Sequence, residues 1–132
     1  MVESFIALWQ YSFPLYTTLN GSTINCIIGS SMGGLSGYIL AKYLGCQALL
    51  FNPAFIRIDN YSLKMPENID NNYHYKIVFG ELDEVIDYQQ SLDFLSENET
   101  EDKYNYVILP TLQHQIDVET FRFEIESFMS RF

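Results

Sequence analysis

The chain has 132 residues, 48% of them apolar and including ten Tyr and ten Phe, which is enough apolar mass for one packed domain and excludes a disordered chain. Lys and Arg number 7 against 17 Asp and Glu, for a formal charge of −10; so acidic a chain repels phosphate backbones and anionic bilayers, which argues against nucleic-acid or membrane partners. Cys26 and Cys46 stand in no metal-ligand or redox spacing and read as buried thiols of a cytoplasmic protein, no secretory leader is evident, and no apolar run reaches the ~20 residues of a membrane helix.

In chain order, Val2 to Ser12 is apolar nearly all round and reads as a buried or interface helix closed by Pro14. Ile24 to Ile28 is a short β-rich run. Met32 to Leu44 is helical, with small residues Gly33, Gly37 and Ala41 leaving one face bare, and Gly45 supplies its stop. A second β-rich run covers Ala48 to Phe51. Residues 59–74 are polar and read as a loop or a degenerate cap region. A third run covers Tyr75 to Phe79. Asp87 to Leu95 is helical, with Tyr88, Leu92 and Leu95 on one face, and Ser96 to Lys103 reads as a solvated connection. A fourth run spans Tyr104 to Leu109. Asp117 or its neighbour caps a last helix whose stripe is Val118, Phe121, Ile125, Phe128 and Phe132. The runs are continuous rather than alternating, as in strands covered on both faces. The predicted fold is α/β, a single domain over 1–132 with a three-layer parallel sheet of about four strands flanked by helices.

The first strand leaves into the helix through Cys26-Ile-Ile-Gly-Ser-Ser-Met-Gly-Gly-Leu, which contains G-x-S-x-G as Gly29, Ser31 and Gly33. A nucleophile on a sharp strand-to-helix turn needs neighbours without side chains two before and two after it. Ser31 then projects at a helix N-terminus, where free N–H groups, that of Met32 first, favour a developing oxyanion. Two other readings are an anion-binding loop and a plain turn. A Walker A loop would need a lysine where Leu35 stands, and a dinucleotide fingerprint would need glycine at Met32.

A serine nucleophile needs a base, and the base an orienting carboxylate. Of the two histidines, His114 follows the last strand run and so lies at the carboxyl end of a parallel sheet, where sites gather; His74 lies at the other end. Asp83 follows the third run at that same end, with Glu81, Glu84 and Asp87 as rivals. The order Ser31, Asp83, His114 is that of the α/β hydrolases.

On Ile28-Gly-Ser-Ser-Met-Gly-Gly, Phe51-Asn-Pro-Ala and Gly80-Glu-Leu-Asp-Glu-Val-Ile-Asp-Tyr, and more loosely on the His114 segment, the chain resembles the small bacterial esterases of the α/β-hydrolase superfamily from about residue 22 onward. The resemblance implies Ser31 as nucleophile, Asp83 as acid and His114 as base, in hydrolysis of small acyl esters without metal or cofactor. Members of that family begin with a strand ending in a His-Gly loop that supplies the second oxyanion donor. No segment before Ser31 reads as that strand and loop, so a truncated hydrolase fold is expected. Ile24 to Ile28 would then be an open sheet edge, and a homodimer is expected to cover it. Two functions compete: a serine carboxylesterase or thioesterase, and a non-catalytic binding or scaffold domain that keeps the hydrolase core.

Overall fold

A computed structural model of the chain describes residues 5–8, 18–19, 22–23, 26–60 and 71–130. Its strands are β1 (Phe5–Leu8), β2 (Thr18–Leu19), β3 (Ser22–Thr23), β4 (Cys26–Ser30), β5 (Gln47–Phe51), β6 (His74–Gly80) and β7 (Tyr104–Leu109). Its helices are α1 (Met32–Leu44), α2 (Tyr88–Asn98) and α3 (Val118–Met129), with 3₁₀ segments at Phe55–Asn60 and Glu101–Lys103. Five strands form one sheet in the order β1-β4-β5-β6-β7, every neighbouring pair parallel, while β2 and β3 make a separate antiparallel pair.

The continuous apolar runs explain the layers. Successive strand side chains point to opposite faces, so Ile27, Leu50 and Ile77 join one core cluster while their neighbours Ile28, Leu49 and Val78 join another. The first cluster packs against α1 and α2 through Leu35, Tyr38, Ile39 and Leu95. The second packs against α3 through Phe121, Ile125 and Phe128, three of the residues in the helical stripe. The three-layer α/β fold class therefore stands. The expected ends do as well: Asp117 accepts from Thr120 N at 3.0 Å and Gly45 ends α1 at φ 63°; Asp87, expected as the first helical residue, caps α2 and accepts from Gln89 N at 2.9 Å.

Three local expectations change. The segment expected as a helix over Val2 to Ser12 contains β1 instead, paired in register with β4 from Phe5↔Cys26 to Leu8↔Gly29. A four-residue apolar run is ambiguous by periodicity, and the backbone groups along the edge of β4 need partners. β1 supplies them, so the sheet has five strands and the edge of β4 that argued for self-pairing is covered within the chain. Secondly, α2 continues to Asn98, into the segment expected to be a solvated connection, and Glu99 at its end is buried. There it pairs with Lys42 of α1 and accepts hydrogen bonds from Tyr38 Oη at 2.5 Å and Tyr73 Oη at 2.8 Å. Burial and the adjacent Glu99 push both phenols well above their ordinary range. Thirdly, of the loop expected over residues 59–74, positions 61–70 lie outside the described residues, and His74 already belongs to β6. Phe132 of the helical stripe also lies outside them. Among the described residues, no helix is long and apolar enough to cross a membrane.

Candidate active site

β4 delivers the chain to Ser31, and α1 begins at the next residue, Met32. Between them Ser31 takes φ 56° and ψ −118°, a left-handed conformation unusual for a residue with a side chain. Three backbone hydrogen bonds hold it there. Ser31 N donates to Phe51 O at 2.9 Å, and Ser31 O accepts from Leu35 N at 3.1 Å and from Ala54 N at 3.0 Å. Close packing adds a fourth restraint. A Cβ on Gly34 would lie 2.9 Å from Pro53 Cα, so only glycine lets the first turn of α1 approach the end of β5 so closely. The small residues Gly33, Gly37 and Ala41 form a stripe on the same helix, but the tight contact with a neighbouring segment is at Gly34.

The Ser31 hydroxyl stands 3.0 Å from His114 Nε2. His114 Nδ1 in turn stands 2.8 Å from Asp83 Oδ2. A carboxylate can only accept, so Nδ1–H donates to Asp83 and the neutral ring leaves Nε2 as the acceptor for the Ser31 hydroxyl proton. The other carboxylate oxygen, Asp83 Oδ1, accepts from Val85 N at 2.8 Å and Ile86 N at 2.9 Å. The Asp83 side chain is 0% exposed and that of His114 is 23% exposed, so the carboxylate is sealed while the imidazole still meets the outside.

The structure thus brings Ser31, Asp83 and His114 together, with Gly29 and Gly33 flanking the turn and the N–H of Met32 at the head of α1. The rivals are placed differently, although Glu81 and Glu84 line the cleft over Asp83 and His114. Glu81 and Glu84 are exposed, Asp87 caps α2, and His74 opens β6 at the opposite end of the sheet. Ser36, the hydroxyl a Walker A reading would use, donates to Met32 O at 3.1 Å instead.

One residue at the site was not singled out for a role by sequence. Asn52 follows β5 directly, is 1% exposed and has φ 42°. Its Nδ2 donates to Gln113 O at 3.0 Å and His114 O at 3.3 Å, and its Oδ1 accepts from Gly80 N at 2.7 Å. The available signal was an Asn directly before Pro53 at the end of a buried strand, since Asn tolerates the left-handed region and bonds backbone groups around it. The acid and base loops also meet directly, through Glu81 N to Leu109 O and Leu82 N to Leu112 O, both 3.0 Å.

One hollow adjoins Asp83 and His114, and a second shares Val85 with it. A cleft of about 700 Å³ opens over Asp83 and His114 between Leu82, Val85 and Gln113. A cavity of about 400 Å³ lies between the first 3₁₀ segment and α2, with Phe55, Ile58, Ile86 and Phe94 in its lining; Val85 borders both.

Residues 17–79 match the model of the uncharacterised protein family UPF0227, a stretch that holds Ser31 but neither Asp83 nor His114. No curated protein matches the chain. Among solved structures, Est1E from Butyrivibrio proteoclasticus superposes with a TM-score of 0.58 at 18% identity, over 85% of this chain and 63% of its own. SOBER1 of Arabidopsis thaliana, in a variant form, superposes with a TM-score of 0.55 at 25% identity, over 80% of this chain and 52% of its own. The chain therefore spans less than two thirds of the length of either relative. With its parallel strand order, its strained serine turn and these likenesses, the chain has the α/β-hydrolase fold and is similar to the small esterases of that superfamily.

Proposed function

We propose that the chain is a serine hydrolase of the esterase type, acting on a small acyl ester or thioester. The observation that carries the reading is the unbroken hydrogen-bond chain from Ser31 Oγ through His114 to Asp83, on a nucleophile turn at the carboxyl ends of parallel strands. Ser31 Oγ attacks the acyl carbon while His114 Nε2 takes its proton, and the carbonyl oxygen gains the negative charge. The Met32 N–H at the head of α1 faces that charge as one donor. As the acyl–oxygen or acyl–sulfur bond breaks, His114 returns the proton to the leaving alcohol or thiol. Water, deprotonated by the same nitrogen, then attacks the acyl-Ser31 ester, and as the acyl–Oγ bond breaks His114 returns that proton to Ser31 Oγ and the carboxylic acid leaves. Asp83 stays deprotonated, fixes the Nδ1–H tautomer and offsets the charge of the transient imidazolium. These steps need no metal or cofactor.

The apolar part of the 400 Å³ cavity is the place for the acyl group, because Val85 joins it to the cleft over His114. The carboxylates of Asp59, Asp87, Asp93 and Glu97 on its walls disfavour anionic acyl chains. Hydrolysis of p-nitrophenyl acetate and butyrate by the wild type, Ser31→Ala and His114→Ala tests the reading. Each variant is expected to lose about 10⁴-fold or more in kcat. Equal rates for wild type and Ser31→Ala would refute it.

A further inference from the structure

We propose that Asn52 is a positioning residue that sets the catalytic base and the acid loop in register with the nucleophile; the proposal rests on the esterase reading of the site. The nucleophile, acid and base stand on three separate segments, after β4, β6 and β7. Asn52 leaves β5, between β4 and β6 in the sheet, and its single side chain reaches the other two. Both Nδ2 protons go to the carbonyls of Gln113 and His114, and Oδ1 takes Gly80 N. Its own N–H donates to Val78 O at 2.9 Å, which anchors it to β6. The amide is thus engaged at both ends, with the bond to His114 O falling on the base residue itself.

The neighbouring turn completes the link to Ser31. Two residues after Asn52, Ala54 N donates to Ser31 O at 3.0 Å, and one residue before it, Phe51 O accepts from Ser31 N at 2.9 Å. A displacement of Asn52 therefore moves the nucleophile turn and the base loop relative to each other. The approach of the loops is already tight: a Cβ on Gly80 would lie 2.3 Å from Leu112 O. Without the amide, the two carbonyls at Gln113 and His114 lose the side chain that ties the base loop to β5. Misplacement of a reacting group by ~1 Å costs about 100-fold in rate.

The amide can be separated from the backbone strain. Asn52→Gly keeps φ 42° at no steric cost and removes the amide. Asn52→Asp keeps the shape and the acceptor for Gly80 N, but presents oxygen to two carbonyl oxygens. The primary readout is the proton NMR resonance of His114 Nδ1–H in its bond to Asp83, which is read on the resting protein whether or not it turns over substrate. It is compared with kcat and KM for p-nitrophenyl butyrate and with the thermal midpoint. In both variants, at temperatures where they are folded, the Nδ1–H resonance is expected to shift or broaden, kcat to fall at least ~10-fold, KM to stay within about twofold and the acid limb of the pH–rate profile to move. A resonance and pH profile identical to the wild type in folded Asn52→Gly would overturn the proposal and leave Asn52 a purely structural residue. If the wild type shows no turnover but the resonance is present and changes in both variants, Asn52 keeps its positioning role while the esterase reading fails.

Discussion

Replacing Asp83 by asparagine tests the hydrogen-bond logic of the site with little change of shape. Oδ1 of Asp83 accepts two backbone N–H groups, from Val85 and Ile86, at 2.8 and 2.9 Å. An amide at this position must keep its oxygen there, because turning its NH₂ toward two donors would leave both N–H groups unpaired, at about 1–3 kcal/mol each where they are buried. The NH₂ is therefore directed at His114 Nδ1. That nitrogen must now accept, so the ring proton moves to Nε2 and no acceptor remains for the Ser31 hydroxyl. Loss of the working tautomer lowers kcat by about 10⁴, or about 5 kcal/mol in activation free energy. The assay is p-nitrophenyl butyrate hydrolysis at neutral pH, with circular dichroism to confirm the fold. The thermal midpoint should stay within a few degrees of the wild type, because Val85 N and Ile86 N keep their acceptor and the bond between residue 83 and His114 Nδ1 persists with its direction reversed. A variant retaining more than a tenth of wild-type kcat would refute the assignment of Asp83 and return attention to Glu81 and Glu84.

Further outcomes follow from packing and charge. Gly34→Ala places a Cβ 2.9 Å from Pro53 Cα, a backbone contact that cannot rotate away, and is expected to destabilise the fold by about 1–3 kcal/mol in urea unfolding and to slow turnover by displacing the Ser31 turn. Lys42→Met leaves buried Glu99 with only the Tyr38 and Tyr73 hydroxyls and is expected to cost about 3 kcal/mol; since that cluster lies at the far end of α1, kcat of the folded protein should not change. Burial raises the thiol of Cys26 to about 11 and, with a smaller push from Cys26, that of Cys46 to about 12. The folded chain therefore holds these protons after the unfolded chain has released them, so stability is expected to fall as pH rises above about 9, read as a drop in the urea midpoint. At neutral pH both thiols should react with a disulfide reagent only after denaturant is added.

Much of the site was legible because its chemistry imposes local sequence. The glycines around Ser31 are a steric condition of the turn, and the turn took the expected strained conformation. The convergence of loops at the carboxyl ends of parallel strands pointed to His114 and to the acidic segment of Glu81, Asp83, Glu84 and Asp87, within which only the resemblance singled out Asp83. Helix boundaries marked by a specific cap, Asp117 and Gly45, fell where the cap chemistry put them. What stayed hidden depends on partners far along the chain. Phe5 to Leu8 is too short for its period to declare a strand, and only the open edge of β4 decides it. Glu99 sits in an acidic, polar run and reads as solvated until Lys42, on another helix, is brought against it. The work of Asn52 is invisible because its acceptors lie 61 and 62 residues away. Gly34 looks like one glycine among several until Pro53 is packed on it.

The central claim is that Ser31 is an activated nucleophile. The most direct measurement is the intact mass of the purified protein, and of its Ser31→Ala variant, after treatment with a fluorophosphonate probe. The account predicts one adduct on the wild type, mapped to Ser31 by peptide mass, and none on the variant. A folded wild type that takes no adduct, or a variant that is labelled equally, would contradict it.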